Sequence, residues 1–405
     1  MKVTQEIETV SKVTVDHGCP SCGHVSLLPF YEVDNVPAHS CLLMPGRAEA
    51  VEYPRGTFRL AFCERCGMIT NTSFDSRLHE YSPRYEETQH FSGRFCQFAK
   101  ELAGRLIDGY GLRDKDILEI GCGKGEFLAT LCEMGENRGI GIDPAAVPQR
   151  IAADVSSRLR FIHDFYSPEY RHLPADLICC RHTLEHIQPV HEFVDMIRQS
   201  IDDRPETLVF FEVPDVTRVL RERAFWDLYY EHCSYFSLGS LVRLFGSCRF
   251  EVLEARYDFD DQYLWLMARP SRRQTPPSPE TQRELQQLSH DVQQFSDTCS
   301  AQIQQWRQRI LAMAAEGRRP VAWGGGSKCV SFLTTLDVGD AIEYVVDINP
   351  YKQGEYLPGT GQQVVAPEFL REYRPGAVVV MNPIYCEEIR RCLEGLGIEA
   401  ELIPV

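Results

Sequence analysis

Short apolar runs separated by polar segments cover most of this chain. The runs at 176–180 and 207–213 have the length of buried strands, and no run approaches the roughly 18 residues that a membrane-spanning helix needs. From 76 to 270 these strand-like runs alternate with helical stretches, and the alternation resumes over 319–405. The pattern predicts an α/β fold in both regions.

Two further regions break this alternation. Residues 1–75 contain paired cysteines and several prolines, whereas 271–318 are polar and rich in glutamine after the opening SRRQTPPSPE. Apolar residues recur in the second region at roughly helical spacing, which predicts a long helix. We therefore expect four parts, namely 1–75, 76–270, a helical connector at 271–318, and 319–405. The recurring apolar residues are Leu285, Leu288, Val292, Phe295, Ile303, Trp306 and Ile310.

Composition and charge narrow the class of protein. A chain of 405 residues with 43% hydrophobic and 25% charged residues is typical of a folded protein of two or three domains. The formal charge is 42 − 58 = −16, so the surface repels nucleic-acid phosphates and resists non-specific membrane binding. The opening MKVTQEIETV lacks an apolar stretch of secretory type. We expect a soluble cytoplasmic protein with neither a nucleic-acid nor a membrane partner.

Two of the cysteine pairs have the spacing of a metal site. Cys19 and Cys22, and likewise Cys63 and Cys66, form C-x-x-C turns that are each followed by glycine. Two such turns supply the four thiolates of a closed, structural Zn²⁺ site, and a full Cys₄ shell leaves no position for catalysis. Two unrelated pairs are the alternative, with His39 and Cys41 as weaker candidate ligands. The other cysteines are scattered, many through apolar segments, as expected in a reducing compartment.

The segment DILEIGCGKGEFL (116–128) predicts a cofactor-binding turn. A short strand ends in G-x-G-x-G and leads into a helix, and Asp143 ends a second strand 22 residues after Gly121. A carboxylate there can accept the ribose hydroxyls of an adenosine, a geometry shared by nicotinamide and S-adenosylmethionine enzymes. The E-I-G-C-G-x-G form favours S-adenosylmethionine, and FIHDF (161–165) suits an adenine contact. The candidate cofactor residues are Glu119, Gly121, Cys122, Gly123, Gly125, Asp143, Asp164 and Phe165.

Histidines cluster after the fourth and fifth predicted strands, where ligands collect in open α/β sheets. The segments are RHTLEH (181–186) and YYEHCSYF (229–236). Histidine is suited to removing a proton from carbon because its pKa lies near working pH, and tyrosine can stabilise an enolate oxygen. The sequence therefore predicts a general base here. The candidates are His182, His186, Tyr229, Glu231 and His232.

A second glycine turn lies in the C-terminal region. VAWGGGSK (321–328) is a predicted strand, turn and helix start, and Asp347 ends the next strand. The spacing mimics a dinucleotide fold, so bound NAD is one interpretation. The turn can instead bind a substrate pyrophosphate, with Ser327 at the helix start and Lys328 or Lys352 neutralising charge. A plain tight turn of an α/β unit is the third interpretation.

Four features in order resemble the three-domain sugar C-methyltransferase family over nearly the whole chain. They are the double C-x-x-C, LEIGCGKGEFL, YYEHCSYFS and VVDINPYKQGEYLPGTG. The resemblance implies a zinc-binding domain, a class I S-adenosylmethionine-binding domain of Rossmann-like α/β fold, and a C-terminal Rossmann-like domain that carries no nicotinamide. It also implies an acceptor with a ketone at C4 of a deoxysugar on thymidine diphosphate. A base then removes the proton at C3, and the resulting enolate takes the methyl group.

The resemblance also implies roles for single residues. His232 matches the base, and Glu231 and Tyr229 match its polar neighbours. His186 or His182 matches a histidine that faces the sugar, and Tyr81 or Tyr85 in LHEYSPRYEE matches an active-site tyrosine.

The chain departs from the family in one segment. Sugar-methylating members carry Gly-Gly-Ser-Leu-Arg where this chain has DDQYLWLM (260–267). A different sugar, another carbon or a non-sugar carbon acid are therefore alternative acceptors. Two competing functions are an O- or N-methyltransferase acting on another metabolite, and a zinc-finger module that binds or methylates RNA; the acidic charge opposes the second.

Overall fold

In a computed structural model of the chain, the described residues are 13–14, 18–202, 204–273 and 279–405. The opening decapeptide, on which the prediction about secretion rests, lies outside these ranges, as do five residues of the SRRQTPPSPE stretch. Within the described ranges, no helix combines the length and apolar character that crossing a bilayer requires.

The strands of the described residues build three sheets. In chain order they are β1 (Val13–Thr14), β2 (Ser26–Pro37), β3 (Arg55–Phe62), β4 (Ile69–Asn71), β5 (Asp116–Ile120), β6 (Arg138–Ile142), β7 (Leu159–Ile162), β8 (Leu177–Arg181), β9 (Leu208–Pro214), β10 (Ser234–Tyr235), β11 (Phe250–Asp258), β12 (Tyr263–Pro270), β13 (Pro320–Trp323), β14 (Tyr344–Val346), β15 (Gln363–Val365), β16 (Ala377–Val380) and β17 (Glu401–Pro404).

The helices lie between these strands, as the alternating pattern predicts. In chain order they are α1 (Arg47–Val51), α2 (Gly93–Tyr110), α3 (Glu126–Gly135), α4 (Ala153–Ser156), α5 (Val190–Ile201), α6 (Val216–Glu222), α7 (Leu238–Ser247), α8 (Pro279–Ala315), α9 (Ser327–Leu336), α10 (Leu370–Tyr373) and α11 (Cys386–Leu396).

The first sheet is antiparallel and has the order β1-β2-β3-β4-β10. Its last strand comes from the YYEHCSYFS segment, because Ser234 pairs with Thr70. Both C-x-x-C turns have the same backbone hydrogen bonds: Gly23 N–H donates to Cys19 and Gly67 N–H donates to Cys63. The sheet thus carries the paired cysteines at one end and holds the predicted catalytic segment at its edge.

The central sheet has the order β11-β12-β9-β8-β5-β6-β7. Its strands run parallel except β12, which is antiparallel to both β11 and β9. All five residues of β8 are buried, as expected for a parallel strand covered by helices on both faces. The order confirms the Rossmann-like α/β fold class and brings the carboxyl ends of β5, β6 and β8 to one crevice, where such sheets bind ligands.

The third sheet is fully parallel with the order β15-β14-β13-β16-β17. It is Rossmann-like as well, and its glycine turn follows the central strand β13. Helix α8 precedes it and occupies the glutamine-rich region. One apolar core joins the first sheet, α8 and α9 through Phe30, Phe58, Phe295, Trp306 and Phe332. This shared core fixes the third sheet against the first.

Candidate active site

A cavity of about 1250 Å³ lies where segments from all three sheets meet. Its walls are the carboxyl ends of the central strands, the glycine turn after β13, and the loop around 74–92 that leads from the first sheet to α2. A cofactor on the central sheet and a ligand on the third sheet would therefore share one space.

The glycine turn after β5 approaches its surroundings too closely for side chains. Gly121, Gly123 and Gly125 all have positive φ, and a Cβ on Gly121 would lie 2.0 Å from the hydroxyl of Thr183. The Asp143 carboxylate accepts hydrogen bonds from the backbone N–H of Gly123 (2.9 Å) and Ala145 (2.6 Å). Because a carboxylate has about four lone-pair sites, Asp143 can still accept hydroxyl groups.

Most of the predicted cofactor residues line this cavity. Gly125 lies outside the wall, since its backbone packs against the ring of Phe161. Among the described residues, the buried Oε2 of Glu119 has no hydrogen-bond partner. A glycine cradle, an acidic residue at the second strand and an unpartnered buried carboxylate oxygen together fit S-adenosylmethionine. The lining residues are Glu119, Gly121, Cys122, Gly123, Asp143, Asp164 and Phe165.

Two histidines lie side by side in the cavity wall. The rings of His186 and His232 have centroids 4.6 Å apart at 86°, and the ring of Tyr229 lies 4.3 Å from His232. The hydroxyl of Tyr81 is 2.9 Å from Nδ1 of His186. Burial lowers the pKa of His232 to about 3 and lowers the pKa of His186 well below its ordinary value. Both imidazoles are therefore neutral near pH 7, and the burial that keeps them neutral also makes each a weaker base than a free imidazole.

Glu231 lies behind this wall and does not line the large cavity. Its carboxylate is buried and contacts four donors, namely His39 Nδ1 at 3.1 Å and the hydroxyls of Ser40, Tyr85 (2.9 Å) and Ser327 (3.5 Å). Burial opposes ionisation of Glu231, but the hydrogen bond from His39 outweighs it and holds the carboxyl pKa below its ordinary value. Glu231 is thus a buried anion behind the wall that carries His186 and His232.

The orientation of His39 follows from its other contact. The backbone N–H of Glu80 donates to Nε2 of His39 at 2.8 Å, so Nδ1 carries the proton that is donated to Glu231. Neither His39 nor Cys41 is near the paired cysteines, because Cys41 Sγ lies 3.2 Å from the hydroxyl of Ser327. Sequence reasoning placed both only as weaker zinc candidates and missed the contact with Glu231.

His182 lies apart from the histidine pair. Its backbone has a positive φ of 49°, and its Nε2 is 3.0 Å from Oε1 of Glu212. Burial opposes the charged ring, but interactions with Glu185 and Glu212 outweigh it and raise the pKa of His182. Of the two open alternatives, His186 is the residue beside His232. Tyr81 and Tyr85 both line the cavity, and Tyr81 is the one that contacts His186.

The paired cysteines meet as the sequence predicts for a metal site. The sulfurs of Cys19 and Cys66 are 3.5 Å apart and those of Cys22 and Cys63 are 3.7 Å apart. A tetrahedral Zn²⁺ with bonds of about 2.3 Å requires sulfurs roughly 3.8 Å from one another. All four lie within 4.8 Å, so the donor set and spacing fit zinc.

The third sheet repeats the carboxylate arrangement of the central one. Asp347 accepts hydrogen bonds from the backbone N–H of Gly325 and of Asn349, both at 2.8 Å. Helix α9 begins at Ser327 without a side-chain cap. Nζ of Lys352 lies 3.6 Å from Asp347, so this cation already faces a carboxylate.

Lys328 also lines the cavity, and its ammonium group likewise faces a carboxylate. Its Nζ donates to Asp227 at 3.0 Å and to Gln262 at 3.3 Å. Gln262 and Tyr263 come from the segment that departs from the family and line the cavity. Gln262 and Asn382 exchange hydrogen bonds of 3.1 and 2.9 Å. The departing segment therefore supplies polar groups to the wall shared with the third sheet.

Two family models divide the chain between them. Residues 88–255 match a methyltransferase domain, and 274–399 match the C-methyltransferase C-terminal domain. The C-methyltransferase NovU of Streptomyces niveus is 24% identical over 399 residues, covering 92% of this chain and 90% of that protein. The chain belongs to the multidomain C-methyltransferases. This C-methyltransferase is an enzyme that uses S-adenosylmethionine, as the motif after β5 predicts.

Solved structures are similar to this chain over less than half of its length. One is the 1,6-didemethyltoxoflavin N1-methyltransferase of Burkholderia thailandensis, at 19% identity and a TM-score of 0.34 over 43% of this chain and 78% of that chain. Another is the magnesium protoporphyrin IX methyltransferase of Synechocystis PCC 6803, at 13% identity and a TM-score of 0.33 over 44% and 84%.

Proposed function

We propose that this enzyme methylates a carbon atom beside the ketone of a nucleotide-linked sugar, a 4-keto deoxysugar on thymidine diphosphate. The observation that carries the proposal is the neutral pair His186–His232, which lies with Tyr81 in one cavity that reaches both glycine turns. An acidic carbon needs a neutral base beside it and a hydrogen-bond donor at the adjacent oxygen. The pair and its tyrosines supply both.

In this proposal His232 removes the proton from carbon. Tyr229, whose ring lies against that of His232, and Tyr81 are the donors available for the enolate oxygen. Glu231 does not contact the sugar; it holds Tyr85 and the segment that carries His232. The cofactor supplies the electrophilic methyl group, and the residues around Gly121 and Asp143 hold it. When bound, the cofactor would give this methyl group to the enolate carbon, with its S–CH₃ bond broken and S-adenosylhomocysteine as the leaving group.

We propose the turn after β13 as the site of the substrate's pyrophosphate. The uncapped N-terminus of α9 offers backbone donors, and Ser327, Lys328 and Lys352 lie around it. When the pyrophosphate binds, Lys328 turns from Asp227 to a phosphate oxygen and Lys352 turns from Asp347 in the same way. Each ammonium therefore keeps an anionic partner. Gly325 and Asp347 also fit the start of a dinucleotide site, so titration with NAD tests the competing interpretation, and we expect no binding.

We further propose that Cys19, Cys22, Cys63 and Cys66 bind a structural Zn²⁺. The four buried or half-buried thiols leave no ligand position open to the cavity. The domain limits at 75, 270 and 318 likewise remain predictions.

The alternative function is O- or N-methylation of another small metabolite. Gln262 favours it, since this residue lies where the chain departs from the sugar-methylating pattern and brings to the wall a polar group that hydrogen-bonds Asn382.

Hydrogen exchange at the acceptor carbon distinguishes the two functions. With S-adenosylhomocysteine in place of the methyl donor, the enzyme should exchange deuterium from the carbon beside the ketone into water. His232→Asn should abolish this exchange while leaving the affinity for S-adenosylhomocysteine unchanged. Methylation of an acceptor without exchange would contradict the carbanion and support an O- or N-acceptor. Binding of thymidine diphosphate by calorimetry tests the nucleotide separately.

A further inference from the structure

A carboxylate lies directly over the glycine turn of the cofactor site. Glu87 belongs to the loop between the first sheet and α2, far in sequence from LEIGCGKGEFL. A Cβ built on Gly123 would lie 2.6 Å from Oε1 of Glu87. The Glu87 side chain is 30% exposed, and it lines the cavity.

One oxygen of the Glu87 carboxylate lacks a hydrogen-bond donor among the described residues. Oε2 of Glu87 is enclosed and has no hydrogen-bond partner among the described residues. The nearest cation is Nζ of Lys124 at 3.9 Å. That ammonium is fully buried and donates its three protons to the backbone carbonyls of Pro83, Tyr85 and Ala145. Lys124 therefore fixes the loop against the turn and leaves no proton for Glu87.

We propose that Glu87 binds the α-ammonium group of the cofactor's methionine part. The glycine turn is where that part of S-adenosylmethionine must pass, because Asp143 lies at the ribose position next to Gly123. An ammonium placed over the turn meets an acceptor that no other donor satisfies. Burial raises the pKa of Glu87 to about 8, against the opposing effect of Lys124, so a cation that arrives there ionises the group.

Two of the neighbouring acids are engaged elsewhere. Glu126 accepts a hydrogen bond from the hydroxyl of Thr88 at 2.9 Å, and both oxygens of Asp143 accept backbone N–H groups. Glu119 is the third acid of the site; its Oε1 accepts from Cys179 at 3.8 Å, and its Oε2 has no partner among the described residues. Glu119 lies on β5 before the turn, whereas Glu87 lies against Gly123 within the turn, so Glu87 is the acid nearest to a group that passes over Gly123.

Calorimetry with two ligands tests the assignment on the full chain. S-adenosylhomocysteine carries the α-ammonium, and 5′-methylthioadenosine lacks the whole amino-acid part. Glu87→Gln should weaken S-adenosylhomocysteine about 10- to 100-fold, the range for a charge-assisted hydrogen bond, and leave 5′-methylthioadenosine unchanged. The exposed Glu133→Gln on α3 should change neither affinity. An equal loss for both ligands, or no loss for either, would overturn the proposal.

Proton release gives a second readout that does not depend on affinity. Binding of S-adenosylhomocysteine to the wild type near pH 7 should release protons, measured from binding enthalpies in buffers of different ionisation enthalpy. The groups facing Glu87 are Lys124, Asp143 and Glu126, and these remain in the variant. Glu87→Gln should therefore release fewer protons than the wild type. An unchanged number, in a variant with wild-type circular dichroism, would contradict the assignment.

Discussion

Nδ1 of His39 lies 3.1 Å from Oε2 of Glu231, so a residue of the first sheet's loop hydrogen-bonds the neighbour of the proposed base. Both side chains are almost fully buried. The bond joins two segments 192 residues apart and fixes the carboxylate that also holds Tyr85. It connects the first sheet to the segment that carries the proposed base.

Removing this contact should lower both stability and turnover. His39→Leu leaves a buried carboxylate without one of its donors, which costs about 1–3 kcal/mol in the free energy of unfolding. We expect a lower kcat with an unchanged affinity for S-adenosylhomocysteine, since Glu231 does not line the cofactor crevice. The exposed His172→Leu is the matched control. If denaturation shows that the costs of His39→Leu and Glu231→Gln simply add in the double variant, the two residues are not coupled.

The protein should lose stability in mild acid because several histidines are buried as neutral rings. Burial lowers the pKa of His79 and of His90 to about 4. The unfolded chain then binds more protons than the folded one between about pH 6.5 and pH 4, so the free energy of unfolding falls as the pH falls through that window. Urea unfolding at pH 7 and pH 5 measures the decline.

The variant His90→Gln distinguishes the protonation of a buried histidine from other causes of instability in acid. His90→Gln should reduce the decline between pH 7 and pH 4 by roughly 1–3 kcal/mol, because it removes one ring whose protonation favours unfolding. A decline as steep as that of the wild type would show that His90 does not contribute.

A chelator should inhibit the enzyme only by unfolding the domain that holds the four cysteines. One Zn²⁺ per chain is expected by elemental analysis, and Cys63→Ser should bind less metal and unfold at a lower temperature. Activity should fall with EDTA only as fast as the near-ultraviolet circular dichroism changes. Inhibition within the mixing time, while the spectrum is still native, would place a metal in the reaction instead.

Gln262 and Asn382, which hydrogen-bond each other in the cavity wall, should determine how tightly the acceptor binds. Gln262→Leu keeps the size of the side chain and removes its hydrogen bonds to Asn382 and Lys328. We expect KM for the acceptor to rise about 10-fold, with the affinity for S-adenosylhomocysteine unchanged, because one buried polar partner is lost. Asn382→Leu should have the same effect, and the double variant should be little worse than either. Unchanged acceptor kinetics would remove the departing segment from substrate recognition.

Local patterns made the fold and the cofactor turn predictable. The strand before Gly121 and the carboxylate at Asp143 are close in sequence, and their geometry follows from one βαβ unit. The two C-x-x-C turns were equally recognisable, since four thiols at that spacing have few other uses. The position of Phe165 in the wall also followed from its place after β7.

The roles of His39 and Glu87 were not predictable in this way. Both belong to loops without a motif, and their partners are 192 residues away for His39 and on another element for Glu87. A short signal existed for Glu87, since the YEE sequence places acidic residues before α2, but only the fold shows which of them reaches the turn. The choice between His182 and His186 needed the positive φ at His182, which directs that ring toward Glu212 instead of toward His232.

The pairing of β10 with β4 has a consequence for a chain that is still being made. The first sheet acquires its last strand only when residue 235 has left the ribosome, and the wall that contains Lys352 and Asn382 arrives later still. A chain that ends after β12 would therefore contain the cofactor crevice of the central sheet but lack the wall that Lys352 and Asn382 complete. Premature termination there would leave a fragment that can hold the methyl donor without the enclosed cavity that the third sheet closes.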